Sequence, residues 1–198
     1  MAARDRSLWD SIYREMVAGL DTFPAPDPLM LMYSPPLPRD PGGEPPAALD
    51  LACGLGQNGL WLASQGYTVD LVDISRVALI AAQEEAGVRG LRSVNFLQLD
   101  LDTPEQNKII PFTYDLVCLF RYFRHDLIAP LRASIKPGGR IICETWNVNY
   151  LDTDPDIPRD HLVEIGELSG VFADWHLLRH SDNGAISQVV AIKPGDAF

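Results

Sequence analysis

Between residues 47 and 146 the chain alternates short apolar runs with amphipathic ones. Residues 47–52, 67–73, 93–100, 114–120 and 140–146 read as buried strands, because each is a 6–8 residue apolar run bounded by turn residues. Residues 57–66, 75–87 and 125–135 carry apolar positions at helical spacing, the first two closing at Gly66 and Gly87. A polar segment running to Pro111 separates the third and fourth strands, and the turn Lys136-Pro137-Gly138-Gly139 precedes the fifth. Strands alternating with helices predict a mostly parallel sheet with helices on both faces, since parallel strands need crossovers.

Both ends break this rhythm. Residues 7–20 place Leu8, Ile12, Met16, Val17 and Leu20 on one helical face, with Ser7 and Asp10 resembling a capping box. Residues 22–46 hold nine of the sixteen prolines and predict an extended connector, because proline fixes φ and removes a donor. Residues 1–46 therefore read as a helix and connector able to form a lid, and 47–198 as the main domain. In the tail, 163–173 predicts a helix, and 174–181 with 185–193 flank Asp182-Asn183-Gly184, a hairpin signal. The expectation is a sheet of seven strands ending in an antiparallel pair.

Charge narrows the partners. Sixteen Lys+Arg against 27 Asp+Glu give a net charge of −11, which argues against nucleic acid, whose phosphates need clustered cations. The three cysteines cannot all pair and none sits in a CxxC, so a reducing, cytoplasmic setting is expected and no metal site. No run approaches the ~18 apolar residues of a membrane span, and the first residues lack the apolar core of a signal peptide.

The chemistry concentrates in Asp50-Leu-Ala-Cys-Gly54-Leu-Gly56-Gln-Asn-Gly59, between the first strand and its helix. Glycines there let a ligand approach the backbone, and the following helix offers free N–H groups. The spacing alone fits GxGxxG, and Asp73, 19 residues past Gly54, fits a nicotinamide ribose acid. Asp50, however, sits four before Gly54, awkward beside a pyrophosphate and favourable beside a cationic ligand.

The Asp50 segment resembles the first motif of class I methyltransferases, (D/E)xxxGxG, and further correspondences follow in order: Asp73-Ile74 ending the second strand, Asp100-Leu101 ending the third, and the Lys136-Pro-Gly-Gly139 turn. The resemblance implies a Rossmann-like sandwich and S-adenosyl-L-methionine as cofactor. Its contacts would come from Asp50, Ala52, Gly54, Gly56 and Asn58, from Asp73 on the ribose, Ile74 on the adenine, Asp100 and Leu101 on the adenine edge, and Phe120. Three longer stretches and the opening Trp9-Asp10-Ser-Ile-Tyr13 are similar to the small tellurite-resistance-type methyltransferases. Members of that family are credited with methyl transfer to chalcogen oxyanions, thiols or other small acceptors.

Acceptor contacts are expected after the fourth and fifth strands: Arg121 for an oxyanion or carboxylate, Tyr122, and Glu144 as a base, with Tyr13 closing over the cofactor. Plainer readings stand beside these. Arg121 fits a surface ion pair, Glu144 a partner for a local cation, His125 an exposed helix neighbour, and Tyr13 with Trp9 simple helix packing. Cys53, Cys118 and Cys143 near strand ends fit either a thiol pocket or small buried hydrophobes. A small-molecule methyltransferase is the favoured reading. An NAD(P)-binding oxidoreductase and a non-catalytic S-adenosylmethionine-binding module remain alternatives, and neither monomer nor homodimer is favoured.

Overall fold

The computed structural model describes residues 2–35, 43–102 and 113–195. The chain divides into two compact units, Met1–Met32 with Pro36–Lys108, and Tyr33–Pro35 with Ile109–Phe198.

In the first unit α1 (Ala2–Ala18) precedes a short α2 (Pro28–Tyr33), whose last residue passes into the second unit. Then come β1 (Ala47–Leu51), α3 (Gln57–Ser64), β2 (Thr68–Asp73), α4 (Arg76–Val88) and β3 (Val94–Gln98). β2 lies between β1 and β3 and is parallel to both, with Leu49 opposite Asp70 and Leu71 opposite Phe96. Leu49 and Leu51 of β1 are buried on one face of the sheet and Val69 and Leu71 of β2 on the other, and Leu60 and Leu62 of α3 are buried as well. Burying one such side chain is worth about 1.5–3 kcal/mol, so this block holds the strand ends in place.

The second unit contains β4 (Tyr114–Phe120), α5 (His125–Ser134), β5 (Ile135–Trp146), α6 (Glu167–Val171), β6 (His176–Asn183) and β7 (Ile186–Ile192). β4 and β5 are parallel, whereas β7 runs antiparallel between β5 and the edge strand β6. The seven strands make the expected mostly parallel, Rossmann-like methyltransferase sheet with an antiparallel end and helices packed against it.

Four local expectations need correction. The proline-rich connector is not wholly extended, because Asp27-Pro28 starts α2. Asp27 Oδ1 accepts the Leu29 N–H at 2.8 Å, and Pro28 takes the first helical position, where a missing N–H costs nothing. Met30 then sits fully buried. The Lys136–Gly139 turn lies inside β5 as a bulge: Tyr114 pairs with Ile135, and Leu116 already with Arg140. The helix expected over 163–173 shrinks to α6. Val163 forms a parallel bridge with Asn147, and Gly166 at φ +81° resets the chain before the helix can begin. Asn183 belongs to β6, so the two-residue turn is Gly184-Ala185, with Gly184 at φ +56°. Most of the polar segment running to Pro111 lies outside the described residues.

Candidate functional site

The loop between β1 and α3 turns through Ala52 (φ +52°), Gly54 (φ +56°) and Gly56 (φ +77°). Carboxylates fix it from both sides. Asp73, at the end of β2, accepts the Gly54 N–H on Oδ2 at 2.7 Å and the Ser75 N–H on Oδ1 at 2.8 Å. Asp50, near the end of β1, accepts the Gly59 N–H on Oδ2 at 2.8 Å. Both acids are buried. Gly59 is needed for that approach, since a β-carbon there would lie 2.1 Å from Leu71.

Burial raises the Asp73 pKa above its usual value, opposed by the N–H groups of Ser75, Gly54 and Ile74; the charge of Asp10 adds to the rise. Tyr13 of α1 leans over the loop, its hydroxyl 2.6 Å from where a β-carbon on Gly54 would stand. Burial, then the charges of Asp73, Cys53 and Asp50, push its phenol pKa up. The neutral phenol is therefore the form present near pH 7.

Asp100, just past the end of β3, is 2% exposed. Its Oδ1 takes the Asp102 N–H at 2.9 Å, while Oδ2 has no hydrogen-bond partner among the described residues. A buried carboxylate oxygen without a donor is costly, and it is the free acceptor that an exocyclic amine would satisfy. Leu101 beside it is buried, and Ile74 is half-buried. Asn58 is differently engaged: its Oδ1 accepts the Asp27 N–H at 2.8 Å and so pins the start of α2.

The second unit gathers another set at the carboxyl ends of β4 and β5. After half-buried Phe120, Arg121 takes φ +60°. Its N–H donates to the Glu144 carbonyl at 2.8 Å, its Nη2 lies 2.5 Å from Glu144 Oε1, and its guanidinium sits 4.6 Å over the Trp146 ring. The Glu144 contact is an ion contact and not an aligned hydrogen bond, because Oε1 meets no hydrogen-bond geometry. Glu144 is buried, and its Oε2 accepts from Gln188 Nε2 at 2.5 Å. Trp146 stacks on Tyr150 at 4.2 Å, and Tyr122 meets His161 edge-on at 5.6 Å. The ion-pair reading of Arg121 and Glu144 is thus the one seen. His125 is half-exposed and pairs with Glu167 at 2.8 Å.

All three cysteines are buried and none is in a disulfide. Cys118 pairs with Ile142 and Cys143 with Leu119, so these two thiols point to opposite sheet faces. Burial pushes Cys143 up to about 12. They are small hydrophobes, not a shared thiol pocket.

Sequence reasoning missed Gln188, Tyr150, His161 and the bond from Asp10 to Ser75. Gln188 could be found only from the β5–β7 register, which places it opposite Glu144.

Such a sheet, with acids at its strand ends around a glycine loop, defines the class I methyltransferases, whose cofactor is S-adenosylmethionine. Residues 49–141 match the family model described as a methyltransferase domain. It is 31% identical over 119 residues to a malonyl-[acyl-carrier protein] O-methyltransferase from Halalkalibacterium halodurans, covering 54% of this chain and 42% of that protein. It is 32% identical over 108 residues to the ribosomal RNA small subunit methyltransferase C of Alcanivorax borkumensis, covering 49% of this chain and 31% of that one. Among solved structures it resembles TehB from Haemophilus influenzae, with TM-score 0.64 and 19% identity over 76% of this chain and 58% of that chain. The chain spans less than half the length of these two curated relatives. No helix among the described residues is long and apolar enough to cross a membrane.

Proposed function

We propose that the chain transfers a methyl group from S-adenosylmethionine to a small-molecule acceptor in the cytoplasm. The observation that carries this reading is the buried Oδ2 of Asp100, without a partner among the described residues. The residues fit the cofactor. Asp100 Oδ2 accepts from the adenine amine, and the Asp73 carboxylate keeps lone pairs for ribose hydroxyls beyond its backbone bonds. Asp50 and Asp73 favour a ligand whose charges are a sulfonium and an ammonium. A pyrophosphate would meet the same carboxylates as like charges, which speaks against a nicotinamide cofactor.

The bound cofactor supplies a methyl carbon already activated by its sulfonium, so the protein's task is positioning, worth up to ~7–11 kcal/mol. Arg121, Tyr122 and Glu144 stand where open α/β sheets take ligands, at the carboxyl ends of strands. Glu144, held by Arg121 and Gln188, orients the guanidinium; a free base would need an unengaged carboxylate. Arg121 and Tyr122 then meet the acceptor. The acidic charge supports a small acceptor over the nucleic acid of the ribosomal relative.

The test is thermal shift. S-adenosylmethionine or S-adenosylhomocysteine at 100 times Kd stabilises the fold by about 2.7 kcal/mol. NAD(H) leaves the melting temperature unchanged. A shift with NAD(H) alone supports the oxidoreductase. Methyl transfer in a panel of thiols, amines, phenols and chalcogen oxyanions separates an enzyme from a non-catalytic binder.

A further inference from the structure

The N-terminal helix reaches the glycine-loop cradle at two points one turn apart. Asp10 Oδ1 accepts from the Ser75 hydroxyl at 2.6 Å and from the Val77 N–H at 3.2 Å. Ser75 is the N-cap of α4: its Oγ accepts the Ala78 N–H at 3.2 Å, and its own N–H donates to Asp73 Oδ1. The other Asp73 oxygen takes the Gly54 N–H, and Tyr13 stands over that same glycine. Asp10 and Tyr13, three residues apart, share a face of α1. The contacts close a ring from α1 through Ser75, Asp73 and Gly54 back to α1.

A second observation separates this from ordinary helix packing. Little of the apolar stripe of α1 is covered: Leu8, Ile12 and Met16 are exposed, and only Val17 and Leu20 are half-buried. The helix instead turns polar groups to the cradle, with the Asp10 carboxylate at the N-terminus of a thirteen-residue helix, where the peptide dipoles favour a negative charge. The Tyr13 hydroxyl has no protein hydrogen-bond partner among the described residues, so its donor is available to a ligand.

We propose that Asp10 is a positioning residue for the cofactor: through Ser75 it fixes Asp73, and it clamps α1 so that Tyr13 closes over Gly54 and any ligand there. The N-terminal helix is then a strap that slows cofactor release. This rests on the cofactor reading above.

The test uses the full chain with S-adenosylhomocysteine, by calorimetry for Kd and stopped flow for the release rate. Asp10→Ala raises Kd and speeds release about tenfold, a change equivalent to ~1.4 kcal/mol. Asp10→Asn, which keeps an acceptor oxygen for Ser75, restores most of both. Leu8→Ala, on the exposed stripe, changes neither. If Asp10→Ala does not fold, Ser75→Ala replaces it and weakens binding in the same direction. A helix that merely packs would lower the melting temperature of the free protein while Kd and release of the folded variant stayed wild-type, and that result overturns the strap. No binding by the wild-type chain overturns the cofactor reading itself, so the two failures are distinct.

Discussion

Both units put a non-glycine residue into the left-handed region at the first position past a parallel strand: Ala52 after β1 and Arg121 after β4. The two turns are then stabilised in different ways. Past Ala52 the bonds run from backbone N–H groups to single carboxylates, Gly54 to Asp73 and Gly59 to Asp50. Past Arg121 one backbone bond, from the Arg121 N–H to the Glu144 carbonyl, is joined by side-chain contacts, Arg121 with Glu144 and Gln188 with Glu144, and Trp146 lies under the guanidinium. A turn held by its own backbone tolerates almost no added volume. One held by side chains tolerates volume changes but depends on every partner being present.

The strongest test of that contrast is steric. Gly59→Ala in the first unit would set a β-carbon 2.1 Å from Leu71 and 3.0 Å from Asp50 Oδ2. Overpacking of this kind costs about 3 kcal/mol, read as a lower urea midpoint at unchanged slope. In the second unit Glu144→Ala has the next largest effect. It strands Gln188 and Arg121, but Arg121's side chain is 44% exposed and water screens it, so the loss is about 2 kcal/mol. Were Glu144→Ala the costlier of the two, the division between backbone-held and side-chain-held turns would be wrong.

The same contrast explains what the sequence made legible. Asp50, Gly54, Gly59 and Asp73 lie within 24 residues, and their spacing already encodes the cradle, because a backbone donor follows wherever a loop residue is placed. β4 falls on residues 114–120 as the apolar run indicates. Arg121, Glu144 and Gln188 span 68 residues, and they meet only through the β4–β5 and β5–β7 registers. Register depends on the bulge at Lys136–Gly139 and on where the hairpin turns. A one-residue shift of that turn, the size of the difference between Asn183-Gly184 and Gly184-Ala185, flips which side chains face Glu144. α2 stayed hidden for a different reason: proline density outweighed the Asp27-Pro28 start signal, and Met30 gave too short a run to show a period.

A smaller effect distinguishes the charge states of the cradle. Asp73 has a pKa raised above 3.8, chiefly by burial. Its proton is therefore held more tightly in the folded chain, and the stability it adds is full below 3.8 and lost as pH rises through the raised value. On the proposed cofactor reading, ribose binding needs the carboxylate, so affinity moves oppositely. S-adenosylhomocysteine affinity falls about tenfold per pH unit once the solution drops below the folded pKa, at a pH above 3.8. Calorimetry on Asp73→Asn gives weak binding with no such pH step; a step that survives in this variant assigns the titration to another group.

The smallest effect returns to the two left-handed residues. An L side chain at positive φ costs about 1 kcal/mol relative to glycine, so Ala52→Gly, which sacrifices only one methyl, gains about 0.5–1 kcal/mol in urea unfolding. Arg121→Gly relieves the same strain but leaves the buried Glu144 carboxylate without its cation and Trp146 without the guanidinium over its ring. Those losses, about 1–2 kcal/mol, exceed the relief, so the variant is less stable than wild type. Adding Glu144→Gln removes the orphaned charge and recovers part of the loss. The sign difference between the two glycine variants then measures how much backbone strain at Arg121 is held in place by its side chain. If both variants stabilised the chain, Arg121 would be strained without compensation, and its ties to Glu144 and Trp146 would contribute nothing to holding the turn.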